Sequence, residues 1–254
     1  MTRNRSILAL VAILAVVGGG YLAYDNVLRG DSLAPLALPS TAPSTAATSA
    51  APTSGASEAP GTEPSAATGT ADGDVAGTWT VATGSEAGYR VRERLANLDA
   101  ESDAVGRTSD VTGTITVAET AGGAQLTAGE IAIDTTTITS DEDRRDDRLR
   151  SEGLQTDQFP TATFTLTQPV DVPTAALAGT ATDVTLVGDL TLHGVTMSVE
   201  IPAQAQLSNG QIQVAGSLTF PLADFEITAP NVGGFIISIA DEGALEFLVV
   251  FAKA

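Results

Sequence analysis

The chain of 254 residues carries no cysteine, one histidine and a formal net charge of -19. The first two features exclude disulfides, thiol catalysis, thiolate metal sites, a lipidated N-terminal cysteine and any multi-histidine metal centre. The acidity excludes a basic face for nucleic acid and a polybasic grip on anionic lipid.

In chain order, Arg3 and Arg5 precede an apolar run over residues 7–24, close to the minimum for crossing a bilayer. Positive charge before the run predicts the start inside and the rest outside. Residues 7–17 alone also have the length of a signal-peptide core, and Gly18 and Gly20 offer a small-residue cleavage site. A retained anchor over residues 1–30 in the cytoplasmic membrane is preferred to a cleaved signal. Either version places the remainder of the chain outside the cytoplasm.

Residues 31–74 are mostly Ala, Ser, Thr, Pro and Gly with scattered acids and no aromatic residue. Such a run buries too little apolar surface to order itself, so it reads as a disordered linker with nothing to pack against. The folded domain is therefore expected over residues 75–254, and to fold without the first seventy-four.

From Trp79 onward, short β-type segments follow one another with turn signals between them. They are expected at 78–82, 89–95, 111–117, 126–135, 161–167, 184–193, 195–207, 211–220, 235–240 and 244–252. Repeated strands without helical patterns between them indicate an all-β, antiparallel barrel or sandwich. Leu245, Phe247, Val249 and Phe251 alternate with the equally apolar Leu248 and Val250, and Phe235, Ile237 and Ile239 alternate with Ile236. A sandwich with one wet face would alternate more cleanly, and closure also removes exposed edges, so a barrel is preferred.

One segment breaks the pattern. Ser140 or Asp141 is placed to cap a short helix through Arg150, acidic in its first turn and basic in its last. Arg145 and Arg148 lie a turn apart there, either as members of weak solvated ion pairs or as a phosphate clamp at a barrel mouth. Further on, Leu186, Gly188, Leu190 and Leu192 share one face of a strand that Gly194 turns back into a second. Met197, Val199, Ile201, Ala203, Ala205 and Leu207 continue the apolar face on the return. His193, at the turn, is read more readily as a partner of a backbone carbonyl than as a ligand contact.

Arg145-Asp146-Asp147-Arg148-Leu149, then Phe159-Pro160-Thr161-Ala162-Thr163-Phe164, then Gly188-Asp189-Leu190-Thr191-Leu192-His193-Gly194-Val195-Thr196 occur in this order with strand-length gaps. The chain in this respect resembles the YceI-like family of secreted, lipocalin-like polyisoprenoid-binding proteins, from about residue 77 to 253. The resemblance implies an eight-stranded antiparallel barrel with one short added helix, enclosing an apolar tunnel for a long isoprenoid, with the lipid head near the entrance. Where the family usually has a histidine before the leucine of the helix motif, this chain has Arg148, which would favour a phosphate head.

On this reading the polar mouth is built from Arg145, Asp146, Arg148 and His193. The tunnel is lined by Phe164, Leu166, Leu190, Leu192, Val199, Ile201, Ile237 and Phe247, unless those side chains pack instead against the outer helix. The partner is an isoprenoid or another long apolar lipid, no cofactor or metal is called for, and a homodimer is left open. Catalysis has little support: no Gly-x-Ser-x-Gly elbow occurs, His193 has no positioned nucleophile, and Asp146 and Asp147 diverge on a helix. A packed barrel acting as an envelope interaction module is the remaining alternative.

Overall fold

The computed structural model describes residues 32–39, 75–95, 101–121, 123–229 and 236–254, and the side chains of 95, 101, 236 and 237 fall outside that description. The anchor expected at 7–24 and most of the expected linker lie outside the described residues. Among the described residues no helix is long and apolar enough to cross a membrane.

The strands are β1 (Gly77–Val81), β2 (Glu86–Leu95), β3 (Glu101–Thr108), β4 (Val111–Thr120), β5 (Gly123–Asp134) and β6 (Thr161–Leu166). They continue with β7 (Val170–Val172), β8 (Thr182–Leu192), β9 (Val195–Ser208), β10 (Gln211–Pro221) and β11 (Ile236–Lys253). β1, β4, β5, β6, β8, β9, β10 and β11 pair in that order, and β11 pairs back onto β1, closing an antiparallel barrel. Beyond Val81 the chain bends, and β2 takes over from β1 along β11, from Leu248↔Glu86 to Ile236↔Leu95. β3 pairs with β2 and extends the wall at that end. The helix α1 (Asp143–Arg148), prolonged by one π-type turn over Leu149–Gly153, lies at the same end. The expected all-β barrel with one short added helix is thus what forms.

Alternation explains why these strands close around one interior. Leu190 and Leu192 of β8 are buried, and their neighbour Asp189 is exposed. Ile201 and Ala203 of β9 are buried, with Glu200, Pro202 and Gln204 outside. β8 and β9 pair from Thr182↔Ala205 to Leu192↔Val195. His193 (φ 51°) and Gly194 (φ 78°) both take left-handed backbone in the two-residue turn between them. A Cβ on Gly194 would stand 2.5 Å from Cε1 of Phe159, so no larger residue fits there without displacing that ring.

The interior has two apolar layers. Trp79, Ile115, Ile201, Phe247, Val249 and Phe251 fill the end near the start of β1. Ile138, Leu154, Leu190, Leu192 and Phe225 fill the helix end.

The structure departs from the sequence expectation in several respects, the short strand β7 and a four-residue helix over Thr174–Leu177 among them. β3 was not expected, because its inward positions are Ala104 and Gly106 rather than large apolar residues. Gly106 has no side chain because Tyr89 of β2 lies over it: a Cβ there would meet Tyr89 Cε1 at 2.3 Å. The segments expected at 235–240 and 244–252 are one strand, β11, whose register shifts between Ile239 and Gly243 where the sequence suggests a turn. The helix is capped by Glu142, which accepts from the Arg144 backbone N–H, and not by Ser140 or Asp141. Finally, residues 32–39, within the stretch expected to contact nothing, lie against the barrel: Arg90 Nη2 donates to the Leu33 carbonyl at 2.6 Å.

Candidate functional site

Three apolar cavities follow one another along the barrel. The upper one, about 110 Å³ at the helix end, is lined among others by Tyr89, Glu93, Arg145, Leu149, Leu154 and Leu192. The middle one, about 80 Å³, is lined by Phe164, Leu166, Leu190, Ile201 and Phe247 with their neighbours. The lower one, about 50 Å³, is lined by Val75, Val117, Val172, Leu177 and Leu207 among others. Ile133 and Leu245 line both the upper and the middle cavity. Ile115, Leu126, Leu186 and Val214 line both the middle and the lower. A single layer of side chains therefore separates each space from the next. For scale, an engineered apolar cavity of roughly 150 Å³ stays dry and takes benzene.

The cavities exist because many inward positions carry little volume. Ala87, Ala162 and Ala203 are buried, and Gly129 lines the middle cavity.

The polar end of the upper cavity is a buried ion pair. Glu93, 2% exposed, accepts from Arg145 Nε at 3.3 Å and from Nη2 at 3.2 Å, a two-pronged contact. Arg145 Nη1 donates to Asp141 Oδ1 at 2.5 Å and to Ser140 Oγ at 3.2 Å. Desolvation works to lower the Arg145 pKa, but the hydrogen bond and charge of Glu93, and then of Asp141, raise it overall. Its guanidinium is thus fixed, charged and already neutralised.

Beside it stands Tyr89, whose hydroxyl is buried and makes no hydrogen bond of good geometry among the described residues, although the Ser140 side chain is close enough to act on it. Burial pushes its phenol well above the ordinary value, with Arg145 and the Ser140 side chain pulling it down and Asp146 and Glu93 adding to the rise. An unfolded tyrosine loses its proton near about pH 10 while the folded one keeps it, so stability falls as pH rises past that point. Tyr89→Phe is expected to flatten this alkaline loss. Thermal melts between about pH 9 and 11.5 check it, and equal slopes for the two proteins would contradict the burial of the hydroxyl.

A family model of the YceI-like domain matches residues 79–251. The chain belongs to the YceI-like domain family. A UPF0312 protein of Vibrio vulnificus is 30% identical over 113 residues, which are 42% of this chain and 56% of that protein. The YceI-like chain thus spans little more than half the length of this curated relative. Among solved structures, a polyisoprenoid binding domain from Saccharophagus degradans, implicated in plant cell wall breakdown, superposes with a TM-score of 0.53 at 22% identity. It covers 70% of this chain and 99% of its own. BcnA of Burkholderia cenocepacia superposes with a TM-score of 0.50 at 16% identity, covering 65% and 95%. At these identities the two likenesses show the fold.

Of the residues expected at the mouth of this YceI-like domain, Arg145 alone lines a cavity. Asp146 is buried but turned to the helix start, accepting from the Ser140 backbone N–H at 3.0 Å and from its hydroxyl at 2.6 Å. Arg148 is 48% exposed and pairs with Glu152 on the outside. Arg145 and Arg148 do not converge on one point, because Glu93 draws the first guanidinium inward while the second pairs with Glu152 on the outside. His193 donates through Nδ1 to the Phe225 carbonyl at 3.0 Å, and Phe159 meets its ring edge-on. It fastens the β8–β9 turn to the segment after β10.

Of the residues expected in the tunnel, Phe164, Leu166, Leu190, Ile201 and Phe247 line the middle cavity and Leu192 the upper. Val199 packs between the two apolar layers without lining a cavity. The side chain of Ile237 lies outside the described residues. Sequence reasoning missed Tyr89, Glu93, Leu149, Leu154 and Leu245. The signal for Glu93 was present in Tyr89-Arg90-Val91-Arg92-Glu93-Arg94, where the arginines take one face and leave Glu93 on the face of Tyr89 and Val91.

Proposed function

We propose that this YceI-like domain is a binding protein and not an enzyme. It takes a long apolar chain, of the isoprenoid class, lengthwise through the three cavities, outside the cytoplasm and tethered to the membrane by residues 7–24. Carriage, storage or sensing of a lipid would each use such a site. The observation that carries the reading is the line of three apolar spaces that share walls. The name of the Saccharophagus neighbour, a polyisoprenoid binding domain, supports the same ligand class.

The head of the lipid belongs at the upper cavity, beside the Tyr89 hydroxyl. Arg145 is already held by Glu93 and Asp141, so a phosphate there would find no free cation and would face two carboxylates. A neutral oxygen-bearing head suits the buried Tyr89 hydroxyl better, since it adds no charge beside the two carboxylates.

Titration of the full chain with an uncharged polyprenol and with the matching polyprenyl phosphate tests this. Binding of the uncharged lipid is expected to be at least as tight as that of the phosphate. Arg148→Ala is expected to change either affinity by less than about fivefold, since an exposed ion pair is worth about 0–1 kcal/mol. Binding of neither lipid would contradict the ligand class, and selective loss of the phosphate in the Arg148 variant would restore the phosphate head.

A further inference from the structure

The outer surface of β2, β3 and β11 holds a feature that ligand binding does not require. Tyr89, Val91 and Leu245 face inward here, so Arg90, Val105 and Glu246 face outward by strand alternation and register. Outward positions on a barrel wall are ordinarily wet. Val105 is nevertheless only 5% exposed and Glu246 only 4%. Something covers them.

The cover is built from the chain itself. Arg90 Nε holds Glu246 at 2.5 Å, while its Nη2 donates to the Leu33 carbonyl at 2.6 Å. Arg107 faces Glu246 at 3.7 Å and donates to the Ala34 carbonyl. Two guanidiniums thus neutralise a buried carboxylate on one side and hold consecutive main-chain carbonyls of residues 32–39 on the other. Ala34 precedes Pro35, which biases it toward extended backbone. Leu36 and Leu38 are half-buried, whereas Leu33 stays 55% exposed. The grip is on the backbone and the two later leucines.

Its position matters more than its strength. The gripped stretch of β2 is the one whose inner face lines the upper cavity, so residues 32–39 cross the barrel at the helix end. The domain proper starts at Val75, which lines the lower cavity at the opposite end. Tethered through Val75 alone, the barrel would hang from its lower end on about fifty residues of linker, with a mean reach of roughly 36–43 Å. Held through 32–39, it is attached beside the upper cavity by the eight residues that follow Tyr24, at most about 29 Å even when fully extended.

We propose that residues 32–39 are an intramolecular strap that turns the helix end of the barrel, with its upper cavity, toward the membrane. This inference rests on the reading of residues 7–24 as a retained anchor. The strap sets which end of the tunnel meets a lipid leaving the bilayer.

The absence of cysteine makes the test direct, because a single introduced thiol can carry a donor dye. The full chain is reconstituted into phosphatidylcholine vesicles containing a rhodamine-labelled lipid, with the donor at Asp157→Cys near the helix end or at Thr120→Cys near the opposite end. Energy transfer is expected to be at least twofold greater from the first position. Replacing residues 32–39 by Gly and Ser in equal number is expected to abolish that difference, and Arg107→Ala to reduce it with the barrel still folded by circular dichroism. Equal transfer from both positions, or a difference that survives both changes, would overturn the strap. Vesicle flotation separates the two ideas: a chain that does not float refutes the anchor and the orientation with it, while a floating chain with equal transfer refutes the strap alone.

Discussion

Arg145→Met is expected to cost the barrel about 3–5 kcal/mol, the largest loss of stability foreseen for any single change, because Glu93 would remain buried and charged without a partner. Glu93 is 2% exposed and takes both prongs of one guanidinium, so no water stands ready to replace the lost contact. Replacing both partners removes the orphan. Glu93→Leu combined with Arg145→Met is expected to recover most of the loss, since exchanging a buried ion pair for apolar groups of similar volume is often neutral or better. Urea unfolding of the wild type, the single and the double variant measures it. A single variant within about 1 kcal/mol of wild type would mean that the carboxylate is wet and the upper cavity more polar than its walls indicate.

Leu245→Trp is expected to make binding depend on chain length. Leu245 stands between the upper and the middle cavity, so an indole there closes the passage while leaving the upper space and Tyr89 in place. Overpacking costs about 1–3 kcal/mol of stability, which a closed barrel of this size tolerates. The cost to binding is larger. Each buried methylene is worth about 0.8 kcal/mol, so every five-carbon isoprene unit kept out forfeits up to about 4 kcal/mol, close to three powers of ten in Kd. Titration with polyprenols of increasing length reads this directly. The wild type should gain affinity with length and the variant should stop gaining once the upper cavity is full. A parallel gain in both proteins would mean that the chain does not run through the waist at Leu245.

The fold was legible where the pattern was local. The β8–β9 hairpin followed from apolar residues at every second position and from Gly194 at a turn that needs positive φ. The tunnel walls were legible for the same reason, since Phe164, Leu190, Leu192, Ile201 and Phe247 are large, apolar and correctly phased. β3 was illegible because its inward residues are small, Gly106 to make room for Tyr89, a relation between strands that no single-strand pattern carries. The polar end failed for a related reason. Adjacent charges in Asp141-Glu142-Asp143-Arg144-Arg145-Asp146-Asp147-Arg148 look alike in sequence, and only the approach of Glu93 from β2 decides that Arg145 is drawn inward and Arg148 is not. The strap over 32–39 was hidden by composition: Ser32-Leu33-Ala34-Pro35-Leu36-Ala37-Leu38-Pro39 reads as spacer because its partners, Arg90 and Arg107, lie more than fifty residues away.

The measurement that tests the central claim most directly is mass spectrometry of the organic extract of the full chain purified from its native source under mild detergent. A lipid with a long apolar chain and an uncharged, oxygen-bearing head, recovered at close to one per protein and reduced in Leu245→Trp, is the predicted result. Protein that yields no lipid above the level of a packed control barrel, and that takes up no polyprenol on titration, would contradict it.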